Sequence, residues 1–578
     1  MKPNVMRWIR LAGIIGGLLM AGLAVAADYL GIGLTTGSDA GFGRAQTLLL
    51  YAGLLVLSGA LILPGNTGQA SRRGWLPGII LLGVSILIDL VLLYYLRFVD
   101  EGDTMTTGWL MSQGYVLYRD LFSHHAPLPY AWAALVTLIA GRSFMALRLS
   151  VILFKVGLIG LGMRLSRQYT LLGIVALGWS AIGHFYFGHM LLYDLFAGVP
   201  LLIMLVIVLA AGSQKITLGD GHFWALGGLA ATTLFSDPTK IYAVAPLMLW
   251  ALAFAARQNG WRAGAKALLQ LAAIPVLALG LMVGLLGIQG ALPAAWADLY
   301  QFNTGIYARY AEYQATDPVN YLHQVISGLE ISSPQWQPLT FTLEPSTAVD
   351  GWLFTGFFYR LMGLLSVILL ILRRRFGLAA AVYLALAGLL TGRNTTFFHA
   401  QSFVLAALAL AAGLAVEQDQ NRGWAISWGQ RVAGTLAAAG LMFLTVMGIW
   451  FIASHPERLP YARRYADYEA RAAALKDLAC GQPEARLAYY PVDPLVYFFA
   501  GMEPPGRFTY LQPWVAELGQ AETIDALRTT PTVIYIETDA NIWGYVAEDY
   551  LAPMITFLNE NYRSAGENVW ISPLIECP

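Results

Sequence analysis

Long apolar runs separated by short polar ones fill the first 453 residues, and hydropathy collapses from Ser454 onward. Runs near 9–30, 45–63, 75–98, 143–163, 169–184, 195–212, 222–236, 240–256, 267–289, 352–372, 376–391, 399–416 and 432–453 predict about thirteen membrane-spanning helices. Leu128 to Ala140 is also apolar but short for a bilayer crossing. It reads as a helix lying in the membrane interface, with a thin span as the alternative. The basic residues test this count. Arg72, Arg73, Arg164, Arg167, Lys215, Arg257, Arg262, Lys266, Arg373, Arg374, Arg375, Arg422 and Arg431 all fall on the side of the N-terminus. The stretch after Asp100, Asp194, Ser236–Asp237, the 290–350 segment and the C-terminal region fall on the other. No register with a helix added or dropped separates them as well. The positive-inside rule then predicts a multi-pass protein of the plasma (inner) membrane, with a cytoplasmic N-terminus and an extracytoplasmic C-terminal region.

Three stretches refine this layout. Lys2, Arg7 and Arg10 precede an apolar run ending Ala24-Val25-Ala26-Ala27, which fits a cleavable signal as well as a retained span. We favour the retained span, and the downstream topology is the same either way. The 290–350 segment scatters Pro293, Gly305, Pro318, Gly328, Pro334, Pro338 and Pro345 among aromatics. It reads as a folded extracytoplasmic loop in which Trp296, Tyr300, Tyr307, Tyr310 and Tyr313 either line a sugar or lipid path or anchor at the interface. Residues 454–578 read as a small α/β domain. Pro460 to Leu478 predicts a helix, Arg486 to Tyr490 and Thr532 to Glu537 buried strands, and Met554 to Tyr562 an amphipathic helix. It carries no Gly-rich nucleotide loop. Its role, acceptor recognition or bracing of the membrane part, stays open. The fold class is thus an α-helical polytopic membrane domain, 1–453, followed by a small α/β domain.

Composition agrees and excludes some functions. Hydrophobic residues make up 57% of the chain, and 35 basic residues balance 35 acidic ones, so nothing attracts nucleic acid. Only two cysteines occur, Cys480 and Cys577, too few for a Cys-rich metal cluster. Both lie in the region placed outside, where thiols oxidise, which predicts a disulfide between them. Asp89 and Lys155 fall inside predicted spans and are expected to pair, as intramembrane charges do.

Charged residues are only 12% of the chain, yet residues 100–129, DEGDTMTTGWLMSQGYVLYRDLFSHHAPLP, are dense in titratable groups. An apolar helix ending in Asp-Glu-Gly, then Gly-Tyr-x-x-Tyr-Arg-Asp, then His-x-Pro-Leu, resembles the first extracytoplasmic loop (99–142) of the GT-C glycosyltransferases. Within that superfamily it resembles the protein O-mannosyltransferase and aminoarabinose-transferase type, which use polyprenyl-phosphate sugars. By hydropathy layout the resemblance extends loosely from Trp75 to about Ala453. Relatives often carry an acidic residue or Lys just before the Pro-Leu, where this chain has His124-His125-Ala126, so substrate identity does not transfer.

The resemblance implies a membrane glycosyltransferase, hexosyl- or pentosyl-transferring and inverting. It would move sugar from a polyprenyl-phosphate donor to a glycan, lipid or protein acceptor on the extracytoplasmic face. Asp100 takes the place of the family's loop carboxylate and would be the general base, with Glu101 secondary because it points about 100° away on a helix. Asp194, after His184 and His189, resembles the second acidic position. Asp100, Asp194 and His124 form a candidate set for a divalent ion (Mn, Mg or Zn), although metal use varies in the family. Arg393, with His399 or Lys240, would hold the donor phosphate. Tyr118, Arg119 and His125 are candidates for the substrate loop. Each has a structural alternative. Asp100 would be held by a helix end or Arg97, Arg393 and Lys240 would snorkel to headgroups, and His184 and His189 would be interfacial hydrogen-bonders. Two other functions compete: a transporter or flippase of a lipid-linked glycan, and a non-catalytic envelope assembly protein. The first would want duplicated broken helices, which the sequence lacks. Convergence of the charged candidates on one face favours the enzyme.

Overall fold

A computed structural model describes residues 3–26, 44–62, 75–96, 98–311, 357–390, 397–416, 424–454, 456 and 459–577. The apolar runs form helices α1 (Pro3–Ala26), α2 (Arg44–Ile62), α3 (Leu76–Val91), α4 (Val99–Ser112), α5 (Leu128–Ala140), α6 (Phe144–Ser166), α7 (Tyr169–Ile182), α8 (Tyr193–Gly212), α9 (Asp220–Ser236), α10 (Ile241–Asn259) and α11 (Trp261–Ile288). Phe357–Leu372, Phe376–Gly388, Gln401–Val416 and Trp424–Ser454 follow. Among the described residues six stretches are long and apolar enough to cross a membrane: Phe144–Ser166, Tyr169–Tyr186, Tyr193–Gly212, Pro238–Asn259, Trp261–Ile288 and Ser427–Ala453. Helix α5 has 13 residues. That is about 20 Å at 1.5 Å per residue, short of a bilayer core.

Helix α8 is the centre of the bundle. Its sequence is apolar all round, as a helix enclosed on every side requires, and it packs on α6, α9 and Gln401–Val416. Helix α11 does the opposite. Leu277 and Ile288 are 70% and 87% exposed, an apolar face suited to lipid. Glycines bring α1 and α2 close: a Cβ on Gly17 would stand 2.6 Å from Leu57 N. Asp89 and Lys155 do pair, and Lys155 Nζ also donates to Ser180 Oγ at 2.9 Å. Ser85 and Ser180 hydroxyls lie 2.7 Å apart, so one polar knot joins α3, α6 and α7.

The structure departs from the sequence reading at 75–98. That run does not continue as one helix. Helix α3 stops at Val91, the chain turns, Phe98 is extended, and α4 starts at Val99. The reason is tertiary. The buried Arg148 guanidinium donates to the carbonyls of Leu93, Tyr95 and Leu96 at 2.9–3.0 Å, so these groups need no helical partner. Asp100 is thereby at the start of α4, not at the end of a span.

After Ser454 the chain forms helix Tyr461–Asp477, helices Leu495–Ala500, Pro513–Leu527 and Ala552–Asn561, and strands β1 (Arg486–Tyr490), β2 (Thr532–Ile536), β3 (Asn541–Ile542), β4 (Tyr545–Val546), β5 (Arg563–Gly566) and β6 (Val569–Ile571). The main sheet has order β1-β2-β6-β5, with β1 and β2 parallel from Arg486↔Thr532 to Tyr490↔Ile536 and the other pairs antiparallel. Cys480 and Cys577 are disulfide-bonded, with Cα atoms 5.3 Å apart. The domain sits directly on α4. A Cβ on Gly102 would come within 3.1 Å of Leu495 N, so only glycine lets this contact close fully.

Candidate active site

Helix α4 carries three carboxylates in its first four residues after Val99: Asp100, Glu101 and Asp103. Asp100 and Glu101 occupy its first turn, where free N–H groups favour carboxylates. Asp100 is half-buried. Glu101 points inward and is only 2% exposed. It takes two bonds from Arg148, at 2.5 and 2.7 Å, and a third from Leu191 N at 3.0 Å. Its carboxylate is therefore occupied in holding α4 to α6 and to the 183–192 segment. Arg148 also reaches Tyr465 Oη at 3.1 Å.

Asp103, one turn beyond Asp100, is buried and accepts from Tyr130 Oη at 2.7 Å, Thr107 Oγ1 at 3.3 Å and Thr509 Oγ1 at 3.3 Å. Burial raises its carboxyl to about 6, against the opposing pull of those three hydroxyls. Ser123 Oγ lies 2.9 Å from Tyr130 Oη and continues the network into the loop after α4.

That loop folds back so that its histidines face the bundle. Tyr118 adopts a positive φ of 70° and donates to His125 O at 2.9 Å. The His124 and His125 rings are 4.0 Å apart, and His125 stacks on Tyr193 at 4.2 Å. Tyr193 Oη is 3.4 Å from His399 Nδ1, which in turn lies 3.3 and 3.4 Å from the Asp194 carboxylate oxygens. A row of rings thus runs from the loop to Asp194 at the start of α8.

The C-terminal domain completes the roof with residues 507–510. Tyr510 Oη is 3.4 Å from His124 Nδ1. Burial, then the charges of Asp103 and Asp100, hold the Tyr510 phenol far above its ordinary range. Arg507 Nη1 is 3.0 Å from Asp298 Oδ2 and donates to Tyr118 O at 3.0 Å, while Phe122 N donates to Arg507 O at 2.7 Å. Burial raises Asp298 to about 6, although Arg507 pulls it down.

The sequence candidates therefore divide. Tyr118, His124, His125, Asp194 and His399 share one cluster, and Asp100, on α4, acts electrostatically on Tyr510 at its edge. Arg119 is exposed and spent on Asp120 at 2.7 Å and Gln289 O at 2.7 Å, away from it. Lys240 is fully buried 3.2 Å from Asp237. His189 Nε2 lies 2.6 Å from Tyr95 O and His184 packs edge-on against Tyr95, so both belong to the α3–α4 turn. Arg97, Arg393 and residues 312–350 lie outside the described residues. Among the described residues no three of His, Cys, Asp and Glu are disposed to hold a metal ion. Asp100, Asp194 and His124 do not form such a set. Sequence reasoning missed Arg148, Tyr130, Asp298, Arg507, Thr509 and Tyr510. Only Arg148, a charge inside an apolar run, gave a signal.

No protein-family model matches the chain, and no curated protein sequence matches it. Among solved structures it is similar to ArnT from Cupriavidus metallidurans bound to undecaprenyl phosphate, at 13% identity and a TM-score of 0.49 over 87% of this chain and 98% of that one. The apo state of the same protein gives 13% identity and a TM-score of 0.47 over 86% and 97%. The apo oligosaccharyltransferase of Archaeoglobus fulgidus gives 13% and 0.45 over 88% and 75%. Similarity at this level assigns this chain neither an activity nor a substrate.

Proposed function

We propose that this chain is a GT-C-type membrane glycosyltransferase. It would transfer a sugar from a polyprenyl-phosphate donor to a glycan, lipid or protein acceptor on the extracytoplasmic face of the plasma membrane. The observation that carries this reading is the gathering of Asp100, Asp103, His124, His125, Tyr193, Asp194 and His399 at one end of the helices, under a roof from the soluble domain. Bilayer-length apolar helices below such a cluster suit a donor with a lipid tail and a polar head.

In the proposed reaction the acceptor oxygen attacks the anomeric carbon from the face opposite the phosphate. Its proton passes to Asp100, the C1–O bond to phosphate breaks, and the electron pair leaves with polyprenyl phosphate, so configuration inverts. Asp100 suits the base because it is half-buried at the first turn of α4, within reach of a substrate, whereas Glu101 is 2% exposed and Asp103 3%. His399, oriented by Asp194 through Nδ1, would present Nε2–H to the departing phosphate when protonated. Arg393 stays a candidate partner for that phosphate. Lys240, paired with Asp237, contributes less net charge.

The test is purified protein with a panel of polyprenyl-phosphate hexoses and pentoses, following free polyprenyl phosphate by mass spectrometry. Sugar-dependent release supports the assignment. Absence of both release and binding across the panel would remove it.

A further inference from the structure

The β3–β4 hairpin of the soluble domain turns on a residue that suits its place badly. Ile542 pairs with Tyr545, so Trp543 and Gly544 are the two loop residues, and both have positive φ, 53° and 90°. Tight hairpins meet that requirement with Asn or Asp before Gly, because a bulky side chain resists positive φ. Asn541 Oδ1 accepts from Gly544 N at 2.8 Å and fixes the turn. A tryptophan here costs folding energy, yet its side chain is 60% exposed, so burial offsets little of that cost. An outlier kept without a packing return points to a function.

Trp543 is also the outer end of a row of rings. It packs on Trp514 at 4.4 Å, Trp514 on Tyr307 at 5.6 Å, and Tyr307 on His124 at 5.1 Å, in the candidate active site. Tyr310 widens the outer end, 6.0 Å from Trp514 and 5.5 Å from Tyr545, which is itself 46% exposed. Polar groups border these rings. Glu517 accepts from Tyr310 Oη at 3.1 Å and from Arg309 at 2.5 Å, and both charged side chains still reach solvent. Exposed aromatic faces beside a solvated carboxylate and guanidinium match the chemistry of a pyranose sugar. Its C–H face lies on the rings, and its hydroxyls both donate and accept. An anionic lipid surface fits worse, because residues 537–549 hold Glu537, Asp539, Glu548 and Asp549 and no basic residue.

We propose that the Trp543–Tyr545 face binds a neutral oligosaccharide of pyranose units, and that the row of rings holds it at a fixed position relative to His124. The inference rests on the glycosyltransferase reading and narrows it: the acceptor is a glycan, gripped at a distance from its reacting end. The carboxylates around the face select against an anionic chain.

The experiment is isothermal titration of the purified full-length chain in detergent with cellohexaose, maltohexaose, mannohexaose and chitohexaose, without any donor. Wild type should bind at least one of them saturably. Trp543→Asn should weaken that binding by about tenfold or more while the melting temperature holds or rises, since asparagine suits the turn position. Tyr545→Ser should weaken it as well. Because no donor is present, a failure of the glycosyltransferase reading would show in the polyprenyl-phosphate release assay and not in this one. Three results would overturn the proposal. None of the four sugars could bind saturably. Trp543→Asn and Tyr545→Ser could both bind like wild type. Trp543→Cys, whose thiol is free because Cys480 and Cys577 are disulfide-bonded, could react with a water-soluble maleimide in detergent but be protected in phosphatidylglycerol nanodiscs, which would make the face a membrane anchor. The proposal expects equal labelling in both.

Discussion

Replacing Asp103 by Asn should stabilise the protein at neutral pH and do little in mild acid. The folded environment raises this carboxyl from 3.8 to about 6 because burial disfavours its charged form. Linkage fixes the sign. A carboxyl with a raised folded pKa contributes stability that is fully present below its unfolded pKa and lost as pH rises through its folded one. At 1.36 kcal/mol per pH unit, the ionised form carries a penalty of about 3 kcal/mol above pH 6. Asparagine imitates the protonated carboxyl. Its oxygen keeps the donations from Thr107 and Thr509, and its NH2 faces Tyr130 Oη, which is free to donate to Ser123 instead. One hydrogen bond weakened in the exchange costs about 1 kcal/mol. The net expectation at pH 7.5 is a gain of about 1–2 kcal/mol. At pH 4.5 there should be no gain or a small loss. Thermal unfolding of detergent-solubilised wild type and variant, followed by tryptophan fluorescence from pH 4.5 to 8, reads this directly. Two curves separated by the same interval at every pH, or a variant weaker at pH 7.5, would refute the account of Asp103.

Three other outcomes follow from the same contacts. Arg148→Met should cost about 3–5 kcal/mol, because it leaves Glu101 buried without its counter-charge, and Glu101→Gln in that background should recover part of the loss in the same unfolding assay. Cys480→Ser/Cys577→Ser opens a loop spanning 97 residues and should destabilise the C-terminal domain by about 2–5 kcal/mol, seen as faster proteolysis of residues 459–577. Arg507→Ala should loosen that domain from the loop while leaving its own fold intact, so hydrogen exchange should rise at Tyr118–Phe122 and not along β1 and β2.

Much of the membrane part was legible because a span must be apolar over a fixed length, and each predicted run with described residues contains a helix. The break between α3 and α4 was not, since it depends on Arg148 reaching carbonyls more than 50 residues away in sequence. The same arginine separates Glu101 from Asp100, neighbours that sequence alone could rank only by helical angle. The cluster was half legible. Titratable density singled out residues 100–129, and acidic or His positions at helix starts marked Asp194 and His399. Thr509 and Tyr510 gave no signal, because their partners Asp103 and His124 lie 406 and 386 residues earlier.

The central claim is that Asp100 removes the acceptor proton. Turnover of Asp100→Asn with a donor that the wild type accepts tests it most directly, alongside the affinity of both for that donor. The side-chain shape is kept and the basicity is lost. Turnover should therefore fall by roughly 10²–10⁴ while donor affinity stays within about twofold of wild type. Wild-type turnover in Asp100→Asn would contradict the account and move the active site away from the start of α4.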